Sequence, residues 1–148
     1  MSAPLFEVST DILVPFYDVD SMEIVWHGNY VKYFEDARCR MLQELDYNYA
    51  TMRSSGYAWP VVDLRIKYVR PALFNHRIRV VARLVEWEVR LKIEYVITDL
   101  ETGEVLTKGY SVQVAVDMAT NEMCFMTPAP FRERLAQRLG AGGAILSF

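Results

Sequence analysis

The chain has 148 residues, room for one domain with one core. Hydrophobic residues make up 52% and charged ones 24%, a globular balance that excludes a disordered chain. The formal charge of −3 argues against nucleic acid as the main partner, although basic residues gather between Arg65 and Lys92.

In chain order, Phe6, Val8, Thr10, Ile12, Val14 and Phe16 alternate with mostly polar residues, the period of a β-strand. Val14 and Phe16 are its buried side, so Asp18 and Asp20 are expected to point the same way, toward a helix. After Asn29 the period changes: Tyr30, Phe34, Ala37, Met41 and Leu45 fall on one helical stripe. Asn29 is the expected N-cap, and a helix from Tyr30 to Tyr47 would be roughly 27 Å long. Strand-like alternation returns at Val62–Tyr68, Ile78–Leu84, Val89–Ile97 and Tyr110–Val116. Glu101-Thr-Gly-Glu104 is a turn in which Gly103 takes a positive φ. Pro128 to Leu139 is a terminal helix stopped by Gly140. One strand, one long helix and then four or more antiparallel strands make an α+β architecture.

The N-terminus lacks a basic segment followed by an apolar run, so no signal peptide is expected. No stretch approaches the roughly 18 apolar residues of a membrane span. Cys39 and Cys124 match no metal or redox spacing and are expected to be free thiols. There is no Gly-x-Ser-x-Gly, phosphate-binding glycine loop or His-x-x-x-His pair. Two histidines, His27 and His76, offer too few ligands for a zinc site, and no metal is expected.

Two features remain that can carry chemistry. Asp18 and Asp20 stand two apart at a strand end, where an aspartate either caps a turn or serves as a partly buried acid or base. Trp26-His-Gly-Asn29 runs straight into the long helix, whose first backbone N–H groups lack intrahelical partners and carry the positive dipole end. Gly28 lets a ligand approach the backbone, or merely permits a tight turn. A carboxylate opposite such amides could activate water or attack a carbonyl while the amides hold the oxyanion.

The segment Asp20-Ser-Met-Glu-Ile-Val-Trp-His-Gly-Asn-Tyr-Val-Lys-Tyr-Phe-Glu-Asp-Ala-Arg38 resembles the signature of the 4-hydroxybenzoyl-CoA thioesterase family of the hotdog fold. It is most similar to bacterial acyl-CoA thioesterases associated with the Tol-Pal system. The resemblance continues through Pro60–Pro71 and the strands to about Pro128. It implies a single hotdog domain over residues 1–148, with an antiparallel sheet of five or six strands wrapped round one long central helix. It implies a cytoplasmic hydrolase that splits an acyl-CoA or acyl-carrier-protein thioester without a cofactor. Asp20 falls on the catalytic position, and the backbone N–H of His27 falls on the position that polarises the carbonyl. The resemblance also implies a homo-oligomer, a dimer or a tetramer made of two dimers, with sites at the subunit interface. Arg90 lies where a cation near the nucleotide is expected, and Lys92 is placed with it on one strand face. Arg65, Lys67 and Arg70 are further candidates for phosphate. Gly28, Trp26, Tyr30, Tyr33 and Trp59 are candidates for the substrate pocket, the aromatics having core or interface filling as the alternative. Glu23 stands where members often have glycine. Two other classes fit less of the sequence: a hotdog hydratase or dehydratase, which would need an acid/base histidine in its own motif, and a non-catalytic binding module for acyl-CoA or acyl carrier protein.

Overall fold

In the computed structural model, which describes residues 6–140, the alternating segments pair into one five-stranded antiparallel sheet. Its strands are β1 (Phe6–Leu13), β3 (Val61–Tyr68), β4 (Arg77–Glu86), β5 (Leu91–Asp99) and β6 (Val105–Gln113), in the order β1-β4-β5-β6-β3. A small second sheet joins β2 (Tyr57–Ala58), β7 (Val116–Asp117) and β8 (Glu122–Met123). The chain leaves the main sheet after Gln113, so the strand expected through Val116 divides between the two.

The long helix α1 (Tyr30–Glu44) lies across the sheet and buries Tyr30, Tyr33, Phe34, Ala37, Arg38, Met41 and Leu42. Phe34 stacks flat on Tyr95 of β5, ring centroids 4.3 Å apart. Gly109 of β6 makes room for this contact. A Cβ there would stand 2.7 Å from the Phe34 ring and 2.2 Å from the Arg65 carbonyl oxygen.

α1 stops at Glu44 rather than Tyr47, because Asp46 turns the chain with φ 57°. Leu45 and Tyr47 stay buried beyond the helix end, which is why the apolar pattern ran past it. A short helix that the periodicity did not reveal, α2 (Tyr49–Ser54), follows, capped by the Asn48 side chain accepting from the Thr51 amide at 2.9 Å. The terminal helix α3 (Ala129–Leu139) starts after Pro128 and ends where Gly140 adopts φ 58°, as expected. Gly103 has φ 76° in the predicted turn.

Phe16 departs from its expected place. β1 ends at Leu13 and a 3₁₀ turn, Phe16–Asp18, follows, so strand alternation no longer holds and Phe16 is 69% exposed.

Candidate active site

The turn that exposes Phe16 also separates the two aspartates. Asp18 is buried against α1, whereas Asp20 is exposed, so only the first points toward the helix. Asp20 sits in a loop closed by its own backbone. Its amide donates to Ile24 O at 2.8 Å, and its carbonyl accepts from Glu23 N at 2.9 Å. Asp20 Oδ1 accepts from the amides of Met22 at 2.8 Å and Ile24 at 3.3 Å. These bonds hold the carboxylate against the loop, and Oδ2 has no hydrogen-bond partner among the described residues.

The same loop delivers the helix start. The Trp26 amide donates to Asp18 O at 3.0 Å, and a 3₁₀ turn, His27–Asn29, runs directly into α1. The amides of His27 and Gly28 therefore open a continuous helical stack, where backbone N–H groups lack intrahelical acceptors and carry partial positive charge. Asn29 stands at the N-cap of α1, as expected, but its side chain makes no capping bond. It is already helical at φ −73°, ψ −18°, and its Nδ2 donates to Asp18 O at 2.7 Å instead. Gly28 has a packing reason as well: a Cβ there would come within 2.1 Å of the Trp26 ring. Trp26 in turn packs at a tilt of 45° against the His27 imidazole, ring centroids 4.7 Å apart, and half of it is exposed.

Asp20, His27 and Tyr30 line one cleft of about 310 Å³, together with Tyr68, Arg70 and Pro71. The 69–74 segment forms its far wall and is zipped to the Asp20 loop. Val25 N donates to Ala72 O at 2.9 Å, Phe74 N donates to Glu23 O at 3.0 Å, and Tyr30 OH accepts from Ala72 N at 3.0 Å. Tyr68 OH donates to the His27 carbonyl at 2.7 Å and packs edge-on against Tyr30. Burial of the Tyr30 phenol is the main cause pushing its pKa up, which keeps it neutral. Arg70 brings a cation to the wall, its Nε 3.5 Å from Glu104 Oε2. Tyr68 was not singled out in the sequence, though it ends an alternating strand just before Arg70-Pro71, the signal that could have marked it.

Trp59, Arg90 and Lys92 are not brought to this cleft within the protomer. Trp59 packs on Tyr47 and Phe131 beyond the other end of β3. At the spacing of a strand, nine residues separate it from Tyr68 by roughly 30 Å. Arg90 lies in the turn before β5, not on the strand, and its Nε bonds Glu86 Oε1 at 3.0 Å, so it does not share a strand face with Lys92. Lys92 sits over the Tyr110 ring, 4.6 Å from its centroid. Among the described residues no group of three or more His, Cys, Asp or Glu is placed to hold a metal ion.

This arrangement matches known proteins. The family model of the thioesterase-like superfamily covers residues 14–139. The chain belongs to that superfamily. It is 31% identical over 113 residues to a Synechocystis protein named as an esterase, covering 76% of this chain and 68% of that one. It is 27% identical over 131 residues to the long-chain acyl-CoA thioesterase FadM of Escherichia coli, covering 88% of this chain and 98% of FadM. A 1,4-dihydroxy-2-naphthoyl-CoA thioesterase from Synechocystis superposes with a TM-score of 0.80 at 18% identity, over 88% of this chain and 96% of that one. The fold is thus the hotdog arrangement expected from the signature, and this thioesterase-like chain is an enzyme, a thioester hydrolase.

Proposed function

We propose that this thioesterase-like protein hydrolyses acyl-CoA thioesters in the cytoplasm. The observation that carries the proposal is that Asp20 and the His27 end of α1 line the same cleft. Asp20 acts either as general base on a water or as nucleophile forming a short-lived mixed anhydride. On both routes the carbonyl oxygen becomes an oxyanion and the C–S bond breaks to release CoA; water supplies the oxygen of the free acid, directly or by splitting the anhydride, and its proton passes to the thiolate. The amides of His27 and Gly28 supply the oxyanion donors. One such donor is worth about 3–4 kcal/mol in other hydrolases. The similarity to FadM supports acyl-CoA as the substrate class. The Asp20–Arg38 signature supports a place near the 4-hydroxybenzoyl-CoA and Tol-Pal-associated thioesterases. A hydratase reading finds less support, since His76 Nδ1 faces Asp99 at 3.7 Å and the His27 ring packs against Trp26.

The working unit is a homo-oligomer, a dimer or a dimer of dimers. β3 pairs with β6 along one side only, and Val61, Val62, Leu64, Tyr68 and Val69 are exposed along it. A long apolar edge of this kind is a template for a second strand. Antiparallel pairing of two β3 edges would set the Tyr68 end of one protomer beside the Val61 end of the other. Lys92 aligns through Val112 with Asp63 near that Val61 end. The same pairing would bring Lys92 and Arg90 of one copy toward the cleft of the other, where CoA phosphates need cations, while Trp59 stays buried on Tyr47 and Phe131.

The test is thiol release from a panel of short, long and aromatic acyl-CoA esters and from an acyl carrier protein thioester. At least one CoA ester should be cleaved with kcat/KM on the order of 10⁴ M⁻¹s⁻¹ or more. Tight CoA-ester binding with no thiol released would favour the binding module instead.

A further inference from the structure

The buried carboxylate of Asp18 takes no part in the scheme above, yet the contacts of its side chain and of its carbonyl all reach the helix start. Asp18 is 3% exposed. Its Oδ2 accepts from Tyr33 OH at 2.8 Å, and its Oδ1 pairs with Lys32 Nζ at 2.5 Å. Its carbonyl accepts from Trp26 N at 3.0 Å and from Asn29 Nδ2 at 2.7 Å. One residue further on, Val19 bridges Val25, and two further on is Asp20.

A buried carboxylate is costly unless paired, and an apolar residue of similar size often packs as well or better. What such a pair can add is register, because it tolerates one arrangement and penalises others. Here the pair joins two parts that must not slide. One is the loop carrying Asp20, and the other is the turn that opens α1, whose His27 lines the same cleft. Lys32 and Tyr33 are adjacent on α1 in its first turn, so the carboxylate is gripped by the rigid helix rather than by a second loop. Burial first, and the neighbouring carboxylate second, push the Tyr33 phenol far up, so it stays a neutral donor across the working pH range.

We propose that Asp18 is a positioning residue: gripped by Lys32 and Tyr33, it holds the Asp20 loop at a set distance from the amides of His27 and Gly28. The kinetic part rests on the thioesterase reading; the structural part does not. Misplacement of reacting groups by about 1 Å can cost about a hundredfold in rate.

The test combines amide hydrogen exchange with kinetics for Asp18→Ala, Asp18→Asn, Tyr33→Phe and Lys32→Met. In folded Asp18→Ala, exchange at the Trp26 and Asn29 amides should quicken by roughly tenfold or more, while strands β4 and β5 stay protected. kcat should fall by at least about tenfold with KM changed by less than about threefold. Asp18→Asn keeps an acceptor for Tyr33 OH and should restore much of both. Adding Tyr33→Phe to Asp18→Ala should lower kcat little further, since one contact is removed twice. If Asp18→Ala does not fold, Tyr33→Phe and Lys32→Met each carry the same local exchange test. Wild-type exchange at Trp26 and Asn29 in the folded variants would overturn the proposal. So would an exchange increase spread evenly over β4 and β5, or a rise in KM at constant kcat. A wild type inert toward every acyl-CoA would defeat the substrate reading alone, and the exchange result would still decide the role of Asp18.

Discussion

Glu23 holds its backbone at φ 61°, a left-handed conformation that costs a residue with a Cβ about 1–2 kcal/mol. Glycine, which the resemblance leads one to expect at this position, adopts that conformation without strain. Glycine removes that strain but loses more chain entropy on folding, so Glu23→Gly should stabilise the protein by a net ~0.5–1 kcal/mol. Urea denaturation measures it, and no gain would mean that the loop relaxes around Glu23. Asp36 offers a second single-residue test. Desolvation first, and then the Glu35 charge, raise its pKa above 3.8. A raised carboxylate pKa means that ionisation works against the folded state, so its share of stability is intact below 3.8 and lost as pH rises through the folded value. Asp36→Asn should therefore raise the melting temperature at pH 7, with the gain disappearing in acid below 3.8. Equal gains at both pH values would contradict it. At this scale Asp20 could be named as the candidate because its signature is local in sequence, and the structure places it on one cleft with His27. Asp18 was not separated from it, because the 3₁₀ turn at Phe16–Asp18 breaks the alternation on which their orientation was judged.

The elements were legible where one face is buried and one is not. β4 and β5 alternate because only their inner face is covered; in β5, Leu91, Ile93, Tyr95, Ile97 and Asp99 are the buried positions, whereas β3 is exposed at all positions but Ile66. Boundaries were harder, since burial does not stop where a helix does. Leu45 and Tyr47 remain in the core after α1 ends, and α2 is too short to show a period. Arg90 was placed on a strand because hydropathy cannot tell the last residue of a turn from the first of a strand. The contact between α1 and the sheet is the tightest of these relations to test. Gly109 does not need a positive φ; it is small because the Arg65 carbonyl and the Phe34 ring occupy the space of a side chain. Gly109→Ala should cost about 1–3 kcal/mol, the range for overpacking a filled core. A neutral result in urea would show that β3 and α1 can shift apart at that point.

At the scale of the molecule, the exposed apolar edge of β3 connects the fold to the site. Paired edges would complete the cleft with Lys92 and Arg90 from a second copy, which reconciles their distance from Asp20 within one chain. Light scattering should then give at least twice 17.1 kDa for the wild type. Val62→Lys with Leu64→Lys should lower that toward a single chain and reduce turnover, because charge on an edge strand opposes pairing. A wild-type mass of 17.1 kDa at working concentration would contradict it. The central claim is narrower: Asp20 does the chemistry opposite the helix start. The most direct measurement is kcat for wild type, Asp20→Asn and Asp20→Ala on the best acyl-CoA found in the panel, with folding checked by circular dichroism. Loss of a general base or nucleophile should lower kcat by about 10²–10⁴-fold in both variants. Wild-type turnover in both folded variants would remove Asp20 from the mechanism.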